Sequence, residues 1–159
     1  MFKQKLLQLI RKQLEADLTT AIAAALATYE AATHEESKPE NEYDTRGLEA
    51  SYLAGAQSKR AGEIEELLAI CNQMSGNDFP PSSPIQAGAL VELDLNGKDK
   101  TVFLLPKGGG MTLNVDGQQV QIITPVSPLG QAIVGMREGD ATQVELAGAT
   151  RECEILSVR

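Results

Sequence analysis

The sequence is poor in residues that build metal sites and covalent cross-links. Of its 159 residues, one is His, two are Cys and none is Trp. Cys71 and Cys153 stand alone, with no CxxC pair and no Cys/His cluster around them. Small cysteine side chains of this kind behave as apolar residues. We therefore expect both thiols to be buried and reduced, and we do not expect a disulfide.

Long apolar runs and positive charge are scarce as well. No segment approaches the ~20 apolar residues that a membrane span needs, and residues 1–7 lack the apolar core of a signal peptide. The 22 acidic residues outnumber 14 Lys and Arg, for a formal net charge of −8. That charge argues against binding duplex DNA through its phosphates and allows a protein partner with a basic surface. We expect a soluble, cytoplasmic protein.

Proline and glycine are unevenly distributed along the chain. Residues 1–75 contain one Pro and three Gly, whereas the rest contains six Pro and eleven Gly. Such a break in helix-terminating residues indicates two domains of different class. The predicted organisation is a helical part at 1–76, a Pro- and Ser-rich linker at 77–84 and a β-rich part at 85–159.

The first part shows apolar residues at helical spacing in two stretches. Steps of three and four residues place such side chains on one face of a helix. Because neither stripe can be buried by its own helix, we expect the two helices to pack antiparallel as a coiled coil. One stripe contains Leu7, Ile10, Leu14, Leu18, Ala21, Leu26 and Tyr29, and the other contains Leu53, Ala56, Ile64, Leu67, Cys71 and Met74.

The second part changes to strand patterns and hairpin turns. Asn96-Gly97 and Asp116-Gly117 are two-residue turn signals, because both central positions tolerate positive φ. The predicted class is α+β: a helical hairpin followed by an antiparallel sheet with one helix across a face. Strands are predicted at 88–95, 100–105, 111–115, 118–124, 141–147 and 150–158, and a helix at 128–135.

One segment, residues 127–140, combines several local signals. Ser127 is a suitable N-cap for a helix whose first position is Pro128. Leu129 and Ile133 form the apolar face of this helix, with Val134 as a further candidate. Each residue therefore has an ordinary structural explanation, and the segment contains no catalytic group.

The order of residues in this segment resembles the C-terminal pattern of the Gre family of bacterial transcript cleavage factors. The matching residues are Ser127, Pro128, Leu129, Gly130, Ala132, Ile133, Val134, Gly135, Gly139 and Asp140. Residues 151–159 resemble the closing strand of that family. The resemblance implies an FKBP-like fold that docks on the rim of the secondary channel of RNA polymerase. The docking residues it suggests are Ser127, Pro128, Leu129, Gly135, Gly139 and Asp140.

An acidic cluster lies where the predicted hairpin bends, near residues 34–46. Residues 30–49 carry seven acids and two Lys or Arg. Carboxylates suit Mg²⁺, although an exposed tip would bind it weakly alone. The resemblance implies that Glu36 and Glu40 enter the polymerase, and that Mg²⁺ is shared with the polymerase active site. Activated water would then cut backtracked RNA, with contact to the nascent RNA 3′ end. The shared-metal candidates are Glu36, Glu40, Glu42 and Asp44.

This tip departs from the usual family tip, Gly-Asp-Leu-Lys-Glu-Asn-Ala-Glu-Tyr. An ungapped alignment on Lys38 places Glu36 at the family's Asp and Pro39 at its key Glu, with Glu40 next to it. A one-residue shift places Glu40 on that Glu at the cost of a gap. A purely structural alternative is that residues 37–40 form a capping box of the second helix.

Several functions remain open at this point. The first is a non-enzymatic factor that stimulates the polymerase's own RNA cleavage, and the second is a channel-binding regulator without cleavage. A prolyl isomerase is disfavoured, because the second part has only Phe79 and Phe103 to line an aromatic pocket. Phosphate binding at residues 106–110 is disfavoured, because the glycines lack P-loop spacing. No cofactor bound by the chain alone and no small-molecule substrate are expected.

Overall fold

The computed structural model describes residues 1–33, 40 and 46–159. Two long helices, α1 (Phe2–Thr33) and α2 (Arg46–Gln73), precede six strands and a short helix. By internal contacts the chain forms two compact units: a helical unit of residues 10–73 and a sheet unit that joins residues 1–9 to residues 74–159. The predicted α+β class, with a helical first part and a sheet carrying one helix, is confirmed.

In the helical unit the two helices run antiparallel. Arg11 bonds to the carbonyl oxygen of Cys71, and the Thr28 hydroxyl bonds to the Gln57 side chain at 2.8 Å. Later residues of α1 thus meet earlier residues of α2. Leu14 of α1 and Ile64 of α2 are both buried. The chain folds this way because each apolar stripe is removed from water by the other helix.

The predicted burial is wrong for the later residues of the first stripe and the earlier residues of the second. Leu26, Tyr29 and Leu53 are 57%, 60% and 53% exposed, and Ala54 and Ala61 are buried instead. Ala56 is also exposed. Ala54 and Ala61 are seven residues apart and so share one face. In this part of the helical unit small side chains are buried, whereas the prediction had chosen larger apolar ones.

The sheet unit contains one six-stranded sheet in the order β3-β4-β2-β1-β6-β5. Its strands are β1 (Leu90–Leu95), β2 (Lys98–Leu104), β3 (Thr112–Val115), β4 (Gln118–Ile123), β5 (Ala141–Leu146) and β6 (Ala149–Val158). The six strands fall at the six predicted places, with ends that differ by at most two residues. The helix α3 (Pro128–Ile133) precedes β5.

The sheet is mixed, so the prediction of an antiparallel sheet is wrong for one pair. Strands β2 and β4 run parallel, with Thr101 opposite Val120 and Leu104 opposite Ile123. The connection of residues 105–111 carries the chain past this position, and the tight β3–β4 hairpin then returns it. Strand β3 therefore lies at the edge, and β4 enters the sheet in the direction of β2.

Three two-residue turns close the hairpins. Both central residues have positive φ at Asn96-Gly97, Asp116-Gly117 and Ala147-Gly148. This geometry matches the twist of the flanking strands. The first two turns confirm the prediction. The third was not predicted, because Ala is not a residue that favours positive φ.

Each face of the sheet buries apolar side chains. The face with α3 buries one apolar core, which includes Val91, Ile133 and Ile155. The opposite face buries Leu90 and Phe103, whose side chains alternate with those of the first face. The first two turns of α1 belong to this unit and supply buried Lys3, Leu6 and Leu7.

Two further expectations concern single residues and membrane helices. Cys71 and Cys153 are buried and unpaired, as predicted. Among the residues that the structure describes, no helix has the length and apolar character to cross a membrane.

Candidate functional site

The site that the sequence pattern marks in the sheet unit is the start of helix α3. The Ser127 hydroxyl accepts a hydrogen bond from the Gly130 N–H at 3.1 Å and donates one to the Thr124 carbonyl at 2.8 Å. Pro128 occupies the first helical turn. Ser127 therefore satisfies an N–H that would otherwise lack a partner at the helix start, and the predicted cap is confirmed.

The turn before α3 is tightly packed against the helix. A Cβ atom built on Gly130 would lie 1.9 Å from the carbonyl oxygen of Thr124. Only a residue without a side chain fits at that distance. Gly130 thus allows residues 124–127 to fold back over the helix.

The end of the segment is bonded into the surrounding unit. Gly135 has φ +83° and donates its N–H to the Ile85 carbonyl at 2.8 Å. Gly139 has φ +89° and donates to the Ile155 carbonyl at 2.9 Å. The Asp140 carboxylate accepts a 2.8 Å bond from the Arg137 N–H. Gly135, Gly139 and Asp140 therefore set the path of the chain.

The residues named for docking divide into buried and exposed ones. Leu129 is 5% exposed and packs in the core beneath α3, so its side chain has no free surface for a partner. Pro128, Gly135, Gly139 and Asp140 are exposed, and Ser127 is half-buried. Their role in docking stays a prediction.

The surface around this segment contains two apolar side chains that were not chosen for docking from the sequence. Val126 is 77% exposed, and Val134, which caps the C-terminal end of α3, is 43% exposed. Val134 therefore does not belong to the buried face with Leu129 and Ile133. The helical period could have shown this, because Leu129 and Ile133 are four residues apart and Val134 lies off their line. We call Val126, Pro128 and Val134 the α3 surface.

Arg137, close in sequence to the α3 surface, makes two hydrogen bonds. The guanidinium group of Arg137 donates to the carbonyl oxygen of Ser82. Its main-chain N–H donates to Asp140, as described above. Residues 80–83 before the sheet are thereby joined to the end of the segment.

The acidic tip is described only at one of its four candidate metal ligands. Glu40 is exposed in a bend, whereas Glu36, Glu42 and Asp44 lie outside the described residues, as does the rest of the capping box at 37–39. Across residues 1–33, 40 and 46–159, no group of three or more His, Cys, Asp or Glu side chains could hold a metal ion. What the structure gives of the tip is therefore its place in the chain, between α1 and α2.

The helical unit presents an apolar groove of its own. It has a volume of about 430 Å³ and is lined by Ile22, Ala25, Leu26, Tyr29, Ser58, Ala61, Gly62 and Glu65. Ile22, Leu26 and Tyr29 are each more than 40% exposed. The groove follows from the small residues at this level, which leave space between larger neighbours.

Comparison with known proteins identifies the class of protein. Residues 81–159 match the family described as "Transcription elongation factor, GreA/GreB, C-term". The matched range includes all six strands, α3 and the α3 surface. The sheet unit is thus a domain of transcription elongation factors.

Full-length relatives extend this match into the helical unit. Transcription elongation factor GreA of Methylococcus capsulatus is 29% identical over 133 residues, which cover 84% of this chain and 79% of the relative. The same-named protein of Neisseria meningitidis serogroup B is 25% identical over 149 residues, covering 93% and 87%. The chain belongs to the GreA/GreB family of transcription elongation factors.

A solved structure of similar length is that of Gfh1 from Thermus aquaticus. It is 21% identical, covers 99% of this chain and 94% of its own, and superposes with a TM-score of 0.41. The family assignment rests on the sequence matches.

Proposed function

We propose that this chain binds RNA polymerase and stimulates the polymerase's own cleavage of backtracked RNA. The observation that carries the proposal is the match to GreA relatives across most of the chain, together with the acidic segment between the two antiparallel helices. The sheet unit docks on the rim of the secondary channel, and the helical unit enters it. In this proposal the chain acts as a non-enzymatic factor that assists the polymerase's own active site.

The roles of the two units follow from their chemistry. The α3 surface offers Val126 and Val134 to an apolar partner surface, and exposed apolar side chains beside polar ones are typical of protein contacts. The net charge of −8 favours a basic surface on the partner. In the sequence, the acidic tip lies between α1 and α2, which are 32 and 28 residues long.

The tip residues act as carboxylate donors inside the polymerase. Glu36 and Glu40 are the principal candidates to share Mg²⁺ with the polymerase, and Glu42 and Asp44 are the further ones. Oxygen ligands are those that Mg²⁺ accepts, and Glu40 is exposed in the described part. A metal held there supplies activation of water and stabilisation of the leaving oxygen. The carboxylates themselves orient the metal ion and balance its positive charge. Their position beside it brings the tip into contact with the RNA 3′ end.

One observation favours a second function. The ungapped alignment places Pro39 where the family has its key Glu, and Pro carries no ligand. A chain with that tip would occupy the channel and regulate transcription without cleaving RNA. The two functions share the partner and the docking surface and differ only at the tip.

A transcript cleavage assay separates them. Backtracked elongation complexes are incubated with Mg²⁺ and the wild-type chain, E36A/E40A or E63A, which changes an exposed acid of α2 away from the tip. The proposal requires RNA shortening that falls about 10²-fold in E36A/E40A and is unchanged in E63A. Binding to core polymerase without any stimulated shortening establishes the second function. Absence of binding contradicts both.

A further inference from the structure

Lys3 is a buried charged residue at the start of helix α1. Its side chain is 1% exposed, and among the residues whose side chains are described only Thr101 is a second buried polar one. The ammonium nitrogen donates to the carbonyl oxygen of Asn77 at 2.8 Å and to that of Arg159 at 3.2 Å. It also lies 4.2 Å from the centre of the Phe79 ring. All these contacts are within the sheet unit.

The partners of Lys3 come from three separated parts of the chain. Lys3 itself is in the first turn of α1, Asn77 and Phe79 follow the end of α2, and Arg159 follows β6. Arg159 is fixed in turn by a 2.8 Å ion pair with Glu92 of β1. The ammonium group therefore joins the first turn of α1 and the segment after α2 to the residue that follows β6.

Burying an ammonium group at this place costs desolvation free energy. Burial lowers the pKa of Lys3, although the nearby Asp78 opposes the shift. Replacing buried charges by apolar residues of similar volume often leaves stability unchanged or raises it. Removing one partner of a buried charged group, in contrast, lowers stability. A lysine stem with directed N–H donors specifies the positions of two carbonyl groups, which an apolar side chain cannot do. The cost in desolvation is consistent with a requirement for geometry rather than for stability.

We propose that Lys3 is a positioning residue for the action on the polymerase. Its ammonium group holds the first turn of α1 and the segment after α2 together within the sheet unit, so that α1 begins and α2 ends at a defined base. This inference rests on the proposed function, because its effect is measured at the tip. Small displacements of a positioned group reduce rates strongly even when their origin is distant from the chemistry.

The test compares K3M with K5M. Methionine keeps an unbranched stem at both positions and removes the ammonium group. Lys5 is in the same helical turn region and forms an exposed ion pair with Asp116 at 2.8 Å, so it controls for loss of a lysine there. Amide hydrogen exchange is followed in residues 2–9 and 74–79. Transcript cleavage is measured at saturating factor and as the concentration for half-maximal effect, at a temperature where thermal melting shows each variant folded.

We expect K3M to exchange faster in both segments and to lose about tenfold in maximal cleavage rate. Its half-maximal concentration should change by less than about twofold, because the α3 surface is intact. K5M should match the wild type in every readout. F79L removes the aromatic ring and keeps an apolar side chain, and it should shift the exchange and the rate in the same direction by less.

Defined outcomes overturn the inference. It fails if K3M keeps the wild-type maximal rate, if K5M loses as much as K3M, or if exchange in residues 2–9 and 74–79 is the same in both. If the wild-type chain itself stimulates no cleavage, the proposed function fails. The exchange comparison of K3M with K5M then decides alone whether Lys3 holds the base.

Discussion

The Cα atom of Gly130 lies so close to the Thr124 carbonyl oxygen that an added Cβ would approach it to 1.9 Å. The obstacle is main chain, which cannot rotate away as a side chain end could. Moving residue 130 away from Thr124 to make room for a Cβ would also pull its N–H from the Ser127 hydroxyl. The packing of the turn and the cap of α3 are thus one arrangement.

We therefore expect G130A to destabilise the protein by about 3 kcal/mol, the upper part of the usual cost of overpacking. Chemical denaturation measures the change in unfolding free energy. Q131A is the matched control, because Gln131 is the next residue of α3 and is exposed; it should change stability by less than about 0.5 kcal/mol. Equal midpoints for G130A and wild type would contradict the close approach.

Gly62 gives the opposite prediction. It is in the interior of α2, and a Cβ built on it meets nothing within 4 Å. Alanine is better than glycine in a helix by about 1 kcal/mol, because it loses less conformational freedom on folding. G62A should raise the unfolding free energy by about that amount in the same denaturation experiment. A decrease would mean that the groove beside Gly62 is narrower than the structure has it.

Arg11 tests the pairing of the two long helices. Its guanidinium donates to the Cys71 carbonyl from Nη2 at 2.7 Å and from Nε at 3.3 Å. Hydrogen bonds from charged donors contribute about 1.5–3 kcal/mol. R11M should lose an amount in this range, measured by chemical denaturation. K12M, which changes the exposed neighbour, should stay within about 0.5 kcal/mol; similar losses in both variants would assign the effect to general charge.

The buried thiols predict a pH dependence. Burial raises the pKa of Cys71, against an opposing effect of Arg11, and burial together with Asp94 raises the pKa of Cys153. The unfolded thiols titrate near pH ~8.5. Their contribution to stability is therefore complete below that pH, and it is lost as the pH rises toward the folded pKa values.

Stability should accordingly fall above about pH 8.5 more steeply in the wild type than in C71A/C153A. Both proteins are compared by denaturation from pH 7 to 10. Thiol labelling at pH 8 should be slow in the native protein and fast in denaturant, since the thiolate is the reactive form. Fast labelling of the native protein at either cysteine would contradict its burial.

The sequence predicted those parts of the fold that depend on local chemistry. Asn96-Gly97 and Asp116-Gly117 close hairpins because Asn, Asp and Gly tolerate positive φ. Ser127 caps α3 because its hydroxyl reaches a nearby N–H. No such local property distinguishes the parallel pairing of β2 with β4. That pairing depends on where the β3–β4 hairpin lies after the connection, which is a property of the whole sheet.

The candidate site shows the same division. The apolar pattern placed Leu129 and Ile133 in the core correctly. Of the predicted docking residues Leu129 is buried and most of the others are exposed, and their role in docking stays a prediction. Val126 lies outside the helix, where periodicity gives no information on exposure. Lys3 was missed because lysine is ordinarily exposed, and its burial needs acceptors from residues 77 and 159 that are distant in sequence.

The α3 surface gives the last prediction, which concerns binding to the polymerase. Val126 and Val134 are exposed, so an aspartate at either position adds no buried charge to the free protein. At a docked interface the same carboxylate would be removed from water without a partner, at a cost of more than about 1 kcal/mol. V126D and V134D should therefore weaken binding to core polymerase about tenfold each, as measured by competition with the labelled wild-type chain. T112D places the same charge on exposed β3 of the same unit and should bind as the wild type does. If all three bind equally, the docking surface is elsewhere on the chain; if all three weaken equally, net charge rather than the α3 surface determines the affinity.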